Sequence, residues 1–339
     1  MENLLEIKDL HTSFYTHVGE VKSVRGISLK VNKGEAIGIV GESGSGKSIT
    51  MMSTMRLLAD NGKIKEGQVL FNGKDLSKAP EKEMEKIRGN EIGMIFQDPM
   101  TSLNPVFTIG EQLMEPLLKH KKMNRANAFS KAVEMLKLVG IPSPEKRMKQ
   151  YPHEFSGGMR QRAMIAMSLV CEPKLLIADE PTTALDVTIQ AQILELMKDL
   201  KTKIDMSIIL ITHDLGVVAD LCNRIYVMYG GTIVESGSSR DIFYNPKHPY
   251  TWGLLRSIPN PKEEIKERLT PIEGTPPDLL KPPSGCPFAP RCDYTMKICL
   301  TEKPSEFEIS ADHCSACWLN HPDAPETKVI QKGEIYNGR

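Results

Sequence analysis

Gly41-Glu-Ser-Gly-Ser-Gly-Lys-Ser48 fits the pattern G-x-x-x-x-G-K-[ST], and the apolar run Ala36-Ile-Gly-Ile-Val40 precedes it as a buried strand would. Gly41, Gly44 and Gly46 let the backbone curl so that successive N–H groups, those of Glu42, Ser43 and Ser45 among them, point into one concavity. Lys47 then reaches terminal phosphates, and the Ser48 hydroxyl completes a Mg²⁺ shell. The residues from Ile49 to Leu58 permit a helix, whose N-terminal dipole and orphan N–H groups add to the anion site. The stretch therefore predicts nucleoside triphosphate binding. An ordinary Gly/Ser turn is the competing reading, and the strand before and the helix after weigh against it.

With 339 residues the chain suggests about two domains, taking ~150 residues for each. Hydrophobic content of 40% and charged content of 25% are ordinary for a soluble globular protein. Lys plus Arg equals Asp plus Glu at 43 each, so the overall charge gives no reason to expect a nucleic-acid partner. The start, Met-Glu-Asn-Leu-Leu-Glu, lacks a basic region followed by an apolar run, and no stretch reaches the ~18 apolar residues of a membrane span. A cytoplasmic chain is expected, with any membrane role arising through partners.

Alternation in Leu5-Glu-Ile7 and Val24-Arg-Gly-Ile27-Ser-Leu29-Lys-Val31 suits an antiparallel sheet edge leading to the nucleotide strand. From Pro116 to Gly140 the pattern turns helical, with Phe129, Val133 and Leu136 on one face and Gly140 and Pro142 as the stop. Leu175-Leu-Ile-Ala178 and Ser207-Ile-Ile-Leu-Ile-Thr212 read as buried strands, and Ile189, Ile193, Leu196 and Leu200 mark a helix between them. Such alternation implies a parallel α/β core. Beyond Ile258, nine prolines within about thirty residues indicate an irregular appended segment.

The strand that ends in Asp179-Glu180 supplies an acid able to hold Mg²⁺ through water and a second able to polarise the attacking water. Phe155-Ser-Gly-Gly-Met-Arg-Gln-Arg162 upstream resembles the signature motif of ATP-binding cassette (ABC) ATPases. Gln97 in Ile95-Phe-Gln-Asp-Pro99 resembles their Q-loop, Ala184-Leu-Asp186 their D-loop and His213 in Ile211-Thr-His-Asp214 their switch histidine, all in the family's order.

The resemblance implies an α/β ABC ATPase fold: a RecA-like parallel core, an antiparallel β edge, a helical signature subdomain at about 98–165, and a nucleotide-binding domain over 1–258. It implies that Lys47, Ser48, Gln97, Asp179, Glu180 and His213 act on the chain's own ATP, with Ser48, Gln97 and Asp179 around Mg²⁺ and Asp186 in the site. Ser156, Gly157 and Gly158 would meet the ATP of a facing subunit. Phe14 stands where the family stacks an aromatic ring on adenine; Tyr15 is the rival, and a core role for either ring remains open.

Among ABC ATPases the chain resembles the ATPase subunits of bacterial dipeptide and oligopeptide importers to about Trp318. Met94-Ile-Phe-Gln-Asp-Pro-Met-Thr-Ser-Leu-Asn-Pro105, Asn245-Pro-Lys-His-Pro-Tyr-Thr251, Thr270-Pro-Ile-Glu-Gly-Thr-Pro-Pro-Asp278 and Gly285-Cys-Pro-Phe-Ala-Pro-Arg-Cys292 carry this likeness. Nickel importers are the near rival, and a soluble ABC ATPase of DNA repair or translation is a more distant one. The importer reading implies two membrane permease subunits, a second ATPase subunit that is a paralogue, an extracytoplasmic peptide-binding protein, and a place at the cytoplasmic face of the membrane. Residues 98–105 would receive a coupling helix there, with Leu103 in the contact.

Seven cysteines include five between Cys286 and Cys317, and in a cytoplasmic chain such a cluster points to metal before disulfides. Cys286, Cys292, Cys299 and Cys317 match the positions that ligate a [4Fe-4S] cluster in similar peptide-importer ATPases, which implies a metal-binding extension over 259–322 followed by a flexible tail, 323–339. Cys314 departs from that pattern: Cys314-Ser-Ala-Cys317 is a C-x2-C pair of zinc type. The spacing itself leaves an iron–sulfur cluster, Zn²⁺ and free thiols open, and a redox sensor is a further reading of the same tail.

Overall fold

The computed structural model describes residues 2–97, 102–182, 186–257 and 271–325. Residues 98–101 of the Q-loop segment, 184 and 185 of the D-loop, 258–270 at the head of the extension and 326–339 of the tail lie outside the described residues. Twelve strands are defined among the described residues: β1 (Asn3–Thr16), β2 (Gly19–Asn32), β3 (Ala36–Val40), β4 (Gly62–Phe71), β5 (Lys74–Asp75), β6 (Ile92–Ile95), β7 (Leu175–Asp179), β8 (Ser207–Thr212), β9 (Arg224–Tyr229), β10 (Thr232–Ser238), β11 (Phe307–Ser310) and β12 (His313–Ser315). The chain forms two compact units. One comprises Met1–Leu4, Val31–Ala36 and Lys78–Ile211, the other Leu5–Lys30, Ile37–Ser77 and Thr212–Arg339.

In the first unit β6, β7 and β8 run parallel, from Ile92↔Leu175 to Ile95↔Ala178 and from Leu175↔Ser207 to Asp179↔Ile211. Every residue of β7 and β8 is buried, as continuous apolar runs covered on both faces require. The helical region differs from expectation. A helix starts earlier, at Ile109, where Thr108 and Glu111 form a reciprocal capping box, and it runs to His120 with Pro116 inside it. Lys122 adopts φ 50, and Asn124 caps a new helix, Arg125–Leu138, by accepting from Asn127 N–H at 2.8 Å. Its buried stripe is Ala128, Ala132, Met135 and Leu136, while Phe129 and Val133 stay half-buried. Cap chemistry at Thr108 and Asn124 thus outweighs the apolar periodicity that suggested one helix.

In the second unit β1 and β4 pair antiparallel from Leu5↔Phe71 to Phe14↔Gly62, with irregularities beside His11. Gly67 makes that irregularity possible, because at φ 95 a Cβ would lie 2.4 Å from the Asp9 carbonyl oxygen. Here β3 runs parallel to β9, from Ile37↔Arg224 to Val40↔Val227, and β9 turns at Gly230-Gly231 into antiparallel β10.

The appended segment is less irregular than its prolines suggest. β12 pairs with β10 through Glu235↔Ser315 and Ser236↔Cys314, and β11 pairs with β12. Glu235, 1% exposed, explains the attachment: its carboxylate accepts from the backbone N–H of Lys247 at 2.6 Å and of His248 at 3.0 Å, and lies 2.8 Å from His313 Nε2. A buried carboxylate so enclosed costs little only while all three partners remain. Glu235→Ala should therefore destabilise the protein by about 2–4 kcal/mol, with earlier proteolytic release of the segment that starts at His313, checked by thermal melting and limited digestion.

Candidate functional site

The phosphate loop is built within the second unit. β3 is buried throughout and delivers the chain to Gly41, from which the loop runs to the helix Lys47–Met55. Gly41, Gly44 and Gly46 hold φ values of 153, 78 and 99. A Cβ on Gly41 would stand 2.2 Å from the Met228 carbonyl oxygen, and one on Gly46 2.6 Å from that of Ser23. Glycine is required at both positions.

The Lys47 ammonium donates to the carbonyl oxygens of Gly41, 2.7 Å, and Glu42, 2.9 Å, so the amine that would meet phosphate lies across the loop. Ser45 Oγ is buried with no hydrogen-bond partner among the described residues, and a polar ligand in the loop would satisfy it. Ile49 lies in the following helix, beyond Ser48. Phe14 faces Gly62 across the β1–β4 pair, where a Cβ would approach its ring to 2.7 Å. Tyr15 is exposed, with its hydroxyl 2.6 Å from Lys65 Nζ and the Lys63 ammonium 5.8 Å from its ring centre. His213 follows β8 as an exposed residue, and the next residue, Asp214, caps the helix Leu215–Leu221.

The hydrolytic pair lies in the first unit. Asp179 closes β7 and is buried; Glu180 turns off the strand with φ 48, its N–H donating to Ile211 at 2.9 Å. Gln97 Nε2 donates to Glu180 Oε2 at 3.1 Å. Ser156 caps the helix Gly157–Leu169 by accepting from Met159 N–H at 3.3 Å. Ser156 and Gly157 are exposed, and a Cβ on Gly157 would meet nothing within 4 Å. A Cβ on Gly158 would lie 3.4 Å from Ile189 Cγ2, and Asp186 caps the helix Val187–Ile204 by accepting from Ile189 N–H at 2.9 Å. Leu103 is not a surface residue, since only 3% of it is exposed; among the described residues nearby, Val106, 71%, and Phe107, 50%, are exposed apolar side chains.

Cys286, Cys299 and Cys317 are buried and Cys292 half-buried, and all are free of disulfides. Burial pushes the Cys286 thiol up to about 11 and the Cys317 thiol up to about 12. The thiols of Cys286, Cys292 and Cys299 push the Cys317 thiol in the same direction. Burial and the carboxylates of Glu306 and Glu308 raise the Cys314 pKa.

Sequence reasoning missed the supports of the loop. Tyr250 Oη accepts from Glu42 N–H at 2.8 Å, so this N–H, expected in the phosphate concavity, is directed at the tyrosine instead, and Arg291 grips the Glu42 carboxylate. The stretches around 250 and 291 were singled out for family likeness, yet nothing in their spacing links them to residue 42.

Residues 24–183 match the family model described as ABC transporter, and residues 234–299 match one described as Oligopeptide/dipeptide transporter, C-terminal region. Across 326 residues the chain is 60% identical to the oligopeptide transport ATP-binding protein OppD of Bacillus subtilis, covering 96% of this chain and 91% of that protein. The chain belongs to the ABC transporter family of ATP-binding proteins. It is also 57% identical to the dipeptide transport ATP-binding protein DppD of Bacillus subtilis, over 94% of this chain and 95% of that protein. A solved ATP-binding cassette, described as a dimeric post-hydrolysis state bound to ADP and Pi, superposes with a TM-score of 0.63 at 27% identity, covering 70% of this chain and 99% of its own. Membership confirms the ABC ATPase fold with mixed α/β sheets and makes this chain an ATP-hydrolysing transport subunit. No helix among the described residues is long and apolar enough to cross a membrane.

His248, beside these supports, yields a pH test. It is fully buried, its Nδ1 accepts from Tyr250 N–H at 3.0 Å, and burial lowers its pKa from 6.5 to about 3. The unfolded chain binds this proton below pH 6.5 and the folded chain does not, so stability is present above 6.5 and falls toward pH 3. The expected slope from this group is about 1.4 kcal/mol per pH unit. His248→Asn, which keeps a capping acceptor, should remove one proton from the acid limb of the unfolding free energy measured against pH.

Proposed function

We propose that this chain powers the import of di- and oligopeptides, as one of two ATPase subunits bound at the cytoplasmic face of a membrane transporter. The observation that carries the reading is the hydrogen bond from Gln97 to Glu180, which ties the carboxylate suited to polarise water to the segment suited to meet a membrane subunit. Lys47 and the loop amides hold the triphosphate, and His213 contacts the γ-phosphate. The Ser48 hydroxyl is an oxygen donor of the kind Mg²⁺ prefers, and a bound ion would neutralise charge on the phosphate oxygens. Gln97 is the residue that would report the ion's presence to the membrane side.

Ser156 and Gly157, exposed at a helix start, suit an ATP held by the facing cassette. ATP that binds the closed pair more tightly than the open one supplies the conformational work. Val106 and Phe107 offer the apolar surface on which a coupling helix of a permease subunit would sit. Peptide as the cargo rests on the relatives named for oligopeptide and dipeptide transport, with a paralogous second ATPase and an extracytoplasmic binding protein as partners.

The residues of the extension fit a [4Fe-4S] cluster held by Cys286, Cys292, Cys299 and Cys317. Four thiolates also suit Zn²⁺, and the metal content of the purified protein tells the two apart. Bound there the cluster would cross-link turns that have little core of their own. Cys314, grouped with carboxylates, is no ligand in this reading.

Two experiments test these readings. In cells whose sole copy is Glu180→Gln, uptake of labelled di- and oligopeptides should fall at least about a hundredfold with nickel uptake intact; loss of nickel uptake alone, or of neither, overturns peptide as the cargo. Protein purified without oxygen should be brown with about four irons per chain, colourless as Cys292→Ser and unchanged as Cys314→Ser. An iron-free wild type removes the cluster.

A further inference from the structure

Glu42 places a carboxylate inside a loop shaped to hold phosphates, where an uncompensated negative charge would repel the ligand. The structure compensates it from far along the sequence. Arg291 Nη1 and Nη2 donate to Glu42 Oε2 at 2.6 Å and Oε1 at 3.0 Å, a two-pronged pair, and the Arg291 side chain is only 5% exposed. Its remaining donors are also engaged: Nε gives to Glu273 O at 2.8 Å, Nη2 to Ile272 O at 3.0 Å and Nη1 to Tyr229 Oη at 3.1 Å. The guanidinium lies 5.7 Å from the Tyr229 ring centre and 5.9 Å from that of Phe288.

The same few residues clamp the loop backbone. Tyr250 Oη accepts from Glu42 N–H, while the Glu42 carbonyl accepts from Lys47 Nζ and from Ser45 N–H. Tyr229, Tyr250 and Phe288 pack ring against ring at 4.6–5.3 Å between centres. Arg291 stands immediately before Cys292, in a turn closed by Cys286 N–H donating to Cys299 O at 2.8 Å. The position of the guanidinium therefore depends on the cysteine-bearing fold.

We propose that the C-terminal segment is a working part of the ATP site: Arg291 is a positioning residue that neutralises Glu42 and fixes the phosphate loop open to a triphosphate. Arg291 touches no phosphate in this scheme, so its loss weakens ATP binding far more than turnover. The proposal rests on residues 41–48 being the triphosphate cradle, which ATP binding by the wild-type chain tests separately.

The experiment is a charge cycle on the purified full chain, with Mg-ATP affinity measured by equilibrium binding and KM and kcat measured in the assembled transporter. Arg291→Ala should raise Kd and KM about tenfold or more, the worth of a charge-assisted pair, with kcat nearly unchanged. The double variant Arg291→Ala with Glu42→Gln should recover most of the affinity lost in Arg291→Ala, because the stranded carboxylate is gone. High salt should narrow the gap for Arg291→Ala alone. Should Arg291→Ala fail to fold, Arg291→Lys, which keeps the charge without the fork, should show the same direction with a smaller effect. Affinity within about twofold of wild type for the folded Arg291 variant, or a double variant as weak as the single, overturns the proposal; wild type that fails to bind ATP overturns the cradle instead.

Discussion

The site depends on how closely the phosphate loop backbone passes Met228. At Gly41 the approach leaves 2.2 Å for any Cβ, so the curl that aligns the loop N–H groups exists only where no side chain intervenes. Burial of all five residues of β3, and its parallel register with β9 up to Val40↔Val227, fix that approach. Local conformation and long-range packing are thus one constraint, and phosphate recognition by backbone amides inherits its rigidity.

Charge follows from that geometry. A loop meant for anions carries Glu42, and the balance comes from a guanidinium 249 residues later. The aromatic group of Tyr229, Tyr250 and Phe288 removes water around the pair and strengthens it, as lower local dielectric does for any charged hydrogen bond. His248 belongs to the same packed region and stays neutral there because its burial disfavours the charged ring. The extension, joined to β10 through Glu235 and His313, is therefore continuous in its energetics with the loop it supports.

Much was legible before any coordinates. The Gly41–Ser48 pattern, the buried strands ending at Asp179 and Thr212, and the order of Gln97, Ser156 and His213 identify an ABC ATPase because each demands a residue type that the chemistry cannot replace. Helix boundaries were less legible: the expected single helix from Pro116 is two, since the caps at Thr108 and Asn124 act through side-chain hydrogen bonds that apolar periodicity does not register. Leu103 was expected at a partner contact and is buried, whereas Val106 and Phe107 nearby are exposed. A sequence shows that a residue is apolar, not which apolar neighbour covers it.

By itself the sequence determined the phosphate loop, the acids that follow β7 and the family, because short-range motifs encode local backbone geometry and chemistry in adjacent residues. Only the tertiary structure decided that Arg291 answers Glu42 and that Glu235 anchors His313. These pairings join residues far apart in the chain, and their strength comes from burial and exact distance, neither of which any one-dimensional pattern contains.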